Sequence, residues 1–501
     1  MKLRSLVLFA ILPAAALSAQ VTLPRVLSDH VVLQRDRPVH IWGMAAPSES
    51  VTVRFRGETR STQAGPLGRW SVYLKPGAAG GPFDLTVKGT PAAGSSSAEQ
   101  TITLHDVLVG DVWLASGQSN MEFEMYKAAT ADEDLPHAAN ANIRLLVVKK
   151  NAADFAQDDV DTDGWAQSSP ESAHNFSAVA WYFAREIAKR EHVPVGVIDS
   201  TWGGTVAEAW TRLTALGADA SLAPLFVSRG KMTDREADSL LEDKAEQRQR
   251  EEARAQGRPE PQFPWHPALQ SWGPGLLWNG MIAPLTPFAI RGVIWYQGES
   301  NSALERAPLY NHIFRALIED WRRQWAIGDF PFLFVQISNF KSTPAEDWAM
   351  LREQQRRTLE MSNTAMAVTI DIGNPDNVHP TDKLDVGHRL ALAARALSYG
   401  EQVVYSGPSF RQATPQGDAI RAWFDAAQGL MAKGGTVTGF EVAGADGKFV
   451  PATATIEGTT VVARSPEVAQ PRFIRYGWAN SPQCNLFNAE GLPASPFTSV
   501  R

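Results

Sequence analysis

Six short, mainly apolar strand candidates, at residues 107–115, 143–148, 195–199, 290–296, 332–337 and 365–371, constrain this chain more than any other feature. Four amphipathic patterns of helical period lie among them, at 178–190, 309–325, 348–361 and 384–397. Apolar strands alternating with helices that are apolar on one side predict a parallel, doubly wound α/β sheet, because a parallel strand must be reached by a crossover and buried on both faces. In such sheets the working edge is the one where the strands end.

On either side of this stretch the pattern shortens. Residues 21–105 hold five brief β-like runs, at 31–33, 40–42, 51–55, 70–74 and 83–87, separated by turn formers such as Ala46-Pro47-Ser48. That spacing predicts an N-terminal β-sandwich domain. A Gly/Ser/Ala stretch at 91–98 reads as a surface loop. From 402 to 501 the chain returns to short strands, at 420–424, 439–442, 459–463 and 472–476, as a C-terminal β-rich domain. Residues 106–401 are therefore the expected central domain, interrupted at about 230–260 by a mixed-charge segment that predicts a solvated helical insertion ending at Gly257 and Pro259.

Residues 1–20 carry Lys2 and Arg4, then an apolar core at 6–12, then small residues up to Ala19. This is the pattern of a secretory signal, so a periplasmic or secreted protein is expected, with no membrane attachment after cleavage. Cys484 is the only cysteine, which rules out an internal disulfide and fits a small buried hydrophobe. A net charge of -7 without a basic cluster argues against a nucleic-acid partner. Oligomeric state has no signature in the sequence.

Chemistry is concentrated where the central strands end. Gly117-Gln118-Ser119-Asn120-Met121 follows the first run and opens into a helix start, where Ser119 is a candidate nucleophile. Read alone, the same stretch is a helix cap. Asp199-Ser200-Thr201-Trp202-Gly203-Gly204-Thr205 offers glycine amides to a developing oxyanion, and Gln297-Gly298-Glu299-Ser300-Asn301 offers amide side chains. A serine hydroxyl needs a base, and the base an orienting acid. An Asp three residues before a His occurs three times, at Asp134/His137, Asp376/His379 and Asp385/His388. The last pair lies inside a helical pattern and the first follows no strand, so Asp376 and His379, next to Pro380 and past the final strand, are the candidates.

Taken in order, Gly117 to Met121, Trp202 to Thr205 with Glu208-Ala209-Trp210, Trp295 to Asn301, and Asp376 with His379-Pro380 resemble the blocks of the SGNH hydrolase superfamily. They are most similar to its bacterial sialate O-acetylesterase group. The similarity extends to Leu27-Ser28-Asp29, to residues 277–282 and to Asn485-Leu486-Phe487-Asn488. The resemblance implies a flavodoxin-like α/β hydrolase domain flanked by β domains, and a metal-free, cofactor-free esterase acting on an O-acetylated sugar. Ser119 would be its nucleophile, His379 the base and Asp376 the orienting acid. The amides of Ser119 and of Gly203 or Gly204 would be oxyanion donors, joined by Gln297 or Asn301, since the superfamily's Gly-x-Asn-Asp block is absent here. A sialate O-acetylesterase is the first expectation. An acetylesterase on xylan or pectin fragments and a non-catalytic carbohydrate-binding protein are the alternatives. Trp113, Trp202, Trp210, Trp278 and Trp295 are candidate sugar platforms, and Arg185, Arg212 and Arg291 candidate partners for a sialate carboxylate.

Overall fold

The computed structural model describes residues 20–93, 98–263 and 268–500, without the side chains of 228–238 and 270. Residues 1–19 of the signal segment and 94–97 of the Gly/Ser/Ala loop lie outside the described residues.

The centre of the molecule is a parallel sheet. Its strands Gln100–Gly117, Val195–Thr201, Gly292–Tyr296, Phe332–Gln336 and Thr364–Val368, taken as first to fifth, stand in the order 2-1-3-4-5. This is flavodoxin-like, and its order reverses between the first and third strands. Asn140–Val147 extends the sheet in parallel beyond the second strand, and Trp165–Ser168 closes that edge antiparallel. Every residue of Val195–Thr201, Gly292–Tyr296 and Phe332–Gln336 is buried, and polar residues (Asp199, Ser200, Thr201 and Gln336) enter only at their C-terminal ends. Two helix pairs cover the sheet: Ala178–Glu191 with Leu384–Tyr399, and Tyr310–Trp325 with Trp348–Arg357. The mixed-charge insertion falls in one long helix, Ala223–Ala255.

The N-terminal region is not separated from this sheet by a linker. Gln100–Gly117 runs unbroken for 18 residues through the expected division at 105/106. Its first half pairs antiparallel with Gly80–Thr90, and Leu108, Val109 and Gly110 pair in parallel with Val32–Gln34. Its second half is the first strand of the central sheet, paired with Val195–Thr201 and Gly292–Tyr296. Within it, the buried Asp111 carboxylate accepts from Gln34, Arg35 and the Tyr399 hydroxyl, so one charge ties the first residues to the last central helix. The apolar residues of the N-terminal and central regions form one continuous core.

The C-terminal region has a core of its own, from Ile420, Val442, Val461, Ile474, Tyr476 and Phe497 among others. It is built on a four-stranded antiparallel sheet of Ser409–Gln416, Ala419–Asp425, Thr460–Arg464 and Thr453–Glu457, packed with a second four-stranded sheet. Fully buried Arg352 joins it to the central domain by donating to the carbonyls of Ser338, Ala479 and Asn480. Half-buried Cys484 packs against both cores, its thiol pushed up to about 11 by burial.

Candidate active site

The site forms where the order of the central strands reverses. Gly117 closes the first strand at φ +135°, and a Cβ built there would stand 2.2 Å from the Tyr296 carbonyl oxygen on the neighbouring third strand. Only glycine allows so close an approach. The chain then turns, with the Gln118 amide donating to Tyr296 O at 3.0 Å, and Ser119 opens the short helix Ser119–Glu122.

His379 arrives from the loop after the fifth strand. Its Nε2 lies 2.7 Å from Ser119 Oγ across 260 residues of sequence. Two contacts hold that loop: the Asn377 side chain accepts the His379 amide at 2.9 Å, and Asn120 Nδ2 donates to the Val378 carbonyl at 2.9 Å. Burial, and then the charges of Lys383 and Lys127, hold the imidazole below its ordinary pKa, with Glu124 opposing them. A neutral imidazole beside a serine hydroxyl is positioned to accept its proton.

Asp376 is placed differently from the expectation. Its carboxylate is 78% exposed and pairs with Lys341 Nζ at 2.9 Å, and among the described residues no hydrogen bond joins it to His379. The turn between them is held through its backbone: Asn374 Oδ1 accepts the Asp376 amide, and Asn377 Oδ1 accepts that of His379. Asp376→Asn is therefore expected to lower kcat on p-nitrophenyl acetate by less than about tenfold, whereas losing an orienting carboxylate costs on the order of 10⁴-fold.

The expected oxyanion donors are also corrected. Gln297 is fully buried, donates both amide hydrogens to Thr205 O and Asn301 Oδ1, and accepts from the Tyr310 hydroxyl. Asn301 is equally buried, donates to Glu208 and accepts from the Ala207 amide. Both side chains are spent in fixing loops. Gly203 does lie against the nucleophile, since a Cβ there would be 3.2 Å from Ser119 Cβ. In this structure, however, its amide donates to a carboxylate oxygen of Glu122, whose other oxygen pairs with Lys150. Gly204 takes φ +74° and its carbonyl accepts from the Trp272 indole, so it shapes the turn that presents Gly203.

Sequence reasoning passed over a buried polar cluster beneath the serine. Asn120 Nδ2 donates to Glu299 Oε1 at 2.6 Å, and Lys383 Nζ donates to Asn120 Oδ1 at 2.6 Å. Lys383 is wholly buried over the faces of Phe123 and Tyr296, and burial brings its pKa down to about 7. Burial raises that of Glu299. Gln118 Oε1 accepts from the amides of Gly298 and Ser300, completing the joint between the first and third blocks. Asn120 and Glu299 sit inside the recognised blocks and Lys383 four residues past His379, so their positions were the available signal.

A cavity of about 490 Å³ opens in front of the pair, lined by Ser119, Glu122, Phe123, Lys127, His379 and Thr381 among others. Of the tryptophans considered as sugar platforms, Trp113, Trp210, Trp278 and Trp295 are core residues, and only Trp202 is partly exposed. None of the three arginines lines this cavity. Arg185 pairs with Asp134, Arg212 with Asp320, and Arg291 donates to the Ser398 carbonyl.

A flavodoxin-like sheet whose first strand ends on a serine held against an imidazole is the frame of an ester hydrolase. The profile of the family described as "Carbohydrate esterase, sialic acid-specific acetylesterase" matches residues 268–396. The sialate O-acetylesterase of Rattus norvegicus is 30% identical over 521 aligned residues, which cover 94% of this chain and 93% of that protein. That of Homo sapiens is 30% identical, covering 94% and 91%. The crystal structure of a carbohydrate acetylesterase from Xanthomonas citri is similar with a TM-score of 0.82 at 39% identity, over 95% of this chain and 99% of that one. The chain belongs to the sialate O-acetylesterase family of carbohydrate esterases.

Proposed function

We propose that this esterase removes O-acetyl groups from saccharides through Ser119 and His379; the 2.7 Å approach of Ser119 Oγ to His379 Nε2 carries the reading. Ser119 Oγ attacks the acetyl carbonyl carbon as its proton passes to Nε2. The acetyl–oxygen bond to the sugar breaks, and the imidazolium returns that proton to the departing sugar oxygen. Water, deprotonated by the same nitrogen, then attacks the acetyl-enzyme, acetate leaves, and Ser119 regains its proton. The Ser119 amide at the start of its helix and the Gly203 amide are the donors for the oxyanion, the second once Glu122 withdraws from it. Secretion to the periplasm or medium, from the signal-like residues 1–20, belongs to the same proposal.

The family relatives favour O-acetylated sialic acid as substrate. A neutral acetylated saccharide such as a xylan fragment is the second reading. It is favoured by a cavity whose lining holds Lys127 as its one cation, paired with Glu124 at 2.7 Å. Acetate release from O-acetylated sialic acids, set against release from acetylated xylo-oligosaccharides, tests both. Turnover of the first alone upholds the sialate reading, turnover of the second alone upholds the neutral one, and turnover of neither ends the proposal.

The pH profile supplies a further check. The neutral imidazole is the active form, so kcat/KM rises as pH climbs through the His379 pKa. Lys383 holds that pKa down, and Lys383→Met is expected to move the acidic limb to higher pH. An unmoved limb would show that the lysine charge does not reach the base.

A further inference from the structure

The strands Val39–Met44 and Arg69–Leu74 form an antiparallel ribbon at the seam between the N-terminal region and the central domain. Alternation sends Ile41, Trp70 and Val72 inward, where they are buried, and sends His40, Trp42, Tyr73 and Arg69 to the other face. On that face the three rings stack in a row. The His40 imidazole lies 4.8 Å from Trp42 at 20° between planes and 4.4 Å from Tyr73 at 7°. The row forms one wall of a cleft of about 530 Å³, within the range of small-molecule sites. Gln157, Asp158, Pro284 and Pro287 bring the central domain into its lining. No residue is shared with the cavity in front of Ser119.

The chemistry of this lining selects a ligand class. His40 covers one face of the Tyr73 ring, and at 59% exposure the face turned away from it is left to water. Apolar faces of this kind suit the C–H faces of pyranose rings. At the rim Arg69 pairs with Asp158 at 2.8 Å, and both groups are well exposed, offering donors and acceptors side by side to hydroxyl edges. The cleft carries no uncompensated cation. Arg69 is balanced by Asp158, and burial holds the His40 imidazole below its ordinary pKa, against the opposing pull of the Pro287 carbonyl 3.1 Å from its Nδ1. Asp159 accepts the backbone amides of Arg25 and Val160. Ring faces, polar edges and a lining whose carboxylates, Asp158 and Asp159, outnumber its one cation, Arg69, fit a neutral saccharide and disfavour an anionic one.

We propose that this cleft is a second, non-catalytic binding site for a stretch of neutral oligosaccharide or polysaccharide. It deepens the reading of the chain as an esterase of acetylated saccharides, and rests on that reading only in presuming that substrate and bound stretch belong to one polymer. The ribbon then holds unmodified sugar while an acetylated unit reaches Ser119.

The test uses the full chain carrying Ser119→Ala, titrated calorimetrically with unacetylated xylohexaose, cellohexaose, an oligogalacturonate and a proline-rich peptide. Saturable binding of a neutral hexaose, weakened about tenfold or more by Trp42→Ala and by Tyr73→Ala, is the expected result. With Ser119 restored, the same two variants should hydrolyse p-nitrophenyl acetate like the parent. Tyr73→Ala and Arg69→Ala, at exposed side chains, keep the test decisive should Trp42→Ala fail to fold. Absence of saturable binding, binding indifferent to these variants, or a preference for the oligogalacturonate or the peptide would overturn the proposal. A lower melting temperature in the variants without any sugar binding would overturn it too, and would make the ring stack a structural ladder. The binding arm uses protein without its nucleophile, so its failure leaves the esterase reading standing, and failure to release acetate leaves a binding result standing.

Discussion

Ser119→Ala should lower kcat by on the order of 10⁴-fold or more, His379→Ala should do the same, and the double variant should be no worse than either single one. The reason is the geometry: nucleophile and base touch at 2.7 Å and act as a unit, so removing one already idles the other. Single-turnover rates on p-nitrophenyl acetate, with folding checked by circular dichroism, measure this. Additive losses, with the double variant lower by the product of the two, would mean that the residues act in separate steps. A Ser119→Ala protein with parental activity would remove the serine from the mechanism.

The second large effect concerns the turn that presents the serine. Gly117→Ala should destabilise the protein by about 3 kcal/mol or more, since a φ of +135° alone costs an alanine roughly 1–3 kcal/mol and the new methyl also meets backbone. The obstacle is the Tyr296 carbonyl at 2.2 Å, which cannot turn aside as a flexible side chain would. That oxygen also accepts the Gln118 amide, so relief of the clash would displace the residue next to Ser119. Urea unfolding of the variant beside the parent gives the number. A loss under 1 kcal/mol would show that the two strands can part there freely.

Much of this architecture was readable because its physical cause is local. Runs such as 195–199 and 332–337 are buried on both faces, and a strand so placed has to be mainly apolar. The strand Trp165–Ser168 escaped notice because it has four residues with two exposed, too little pattern to stand out. The unity of Gln100–Gly117 was hidden by Asp106, a charged residue at φ +54° in mid-strand, which reads as a break. At the site, Ser119 and His379 were legible as the right residue types just past strand ends. Where hydrogen bonds go was not. An exposed Asp376 answers to Lys341, 35 positions away, and the amide hydrogens of Gln297 are claimed by Thr205 and Asn301. Spacing along a chain says nothing about such competition among distant partners.

The 18-residue strand makes the serine's footing mechanically inseparable from the N-terminal region. Trimming the chain to begin near residue 106 would strip the partner strand Gly80–Thr90 from its outer half, and would take Gln34 and Arg35 from Asp111, stranding a carboxylate in the core. The earlier region therefore works as an abutment: amide exchange in residues 107–117 should quicken whenever residues 21–90 are loosened, even though none of those residues lines the cavity before Ser119.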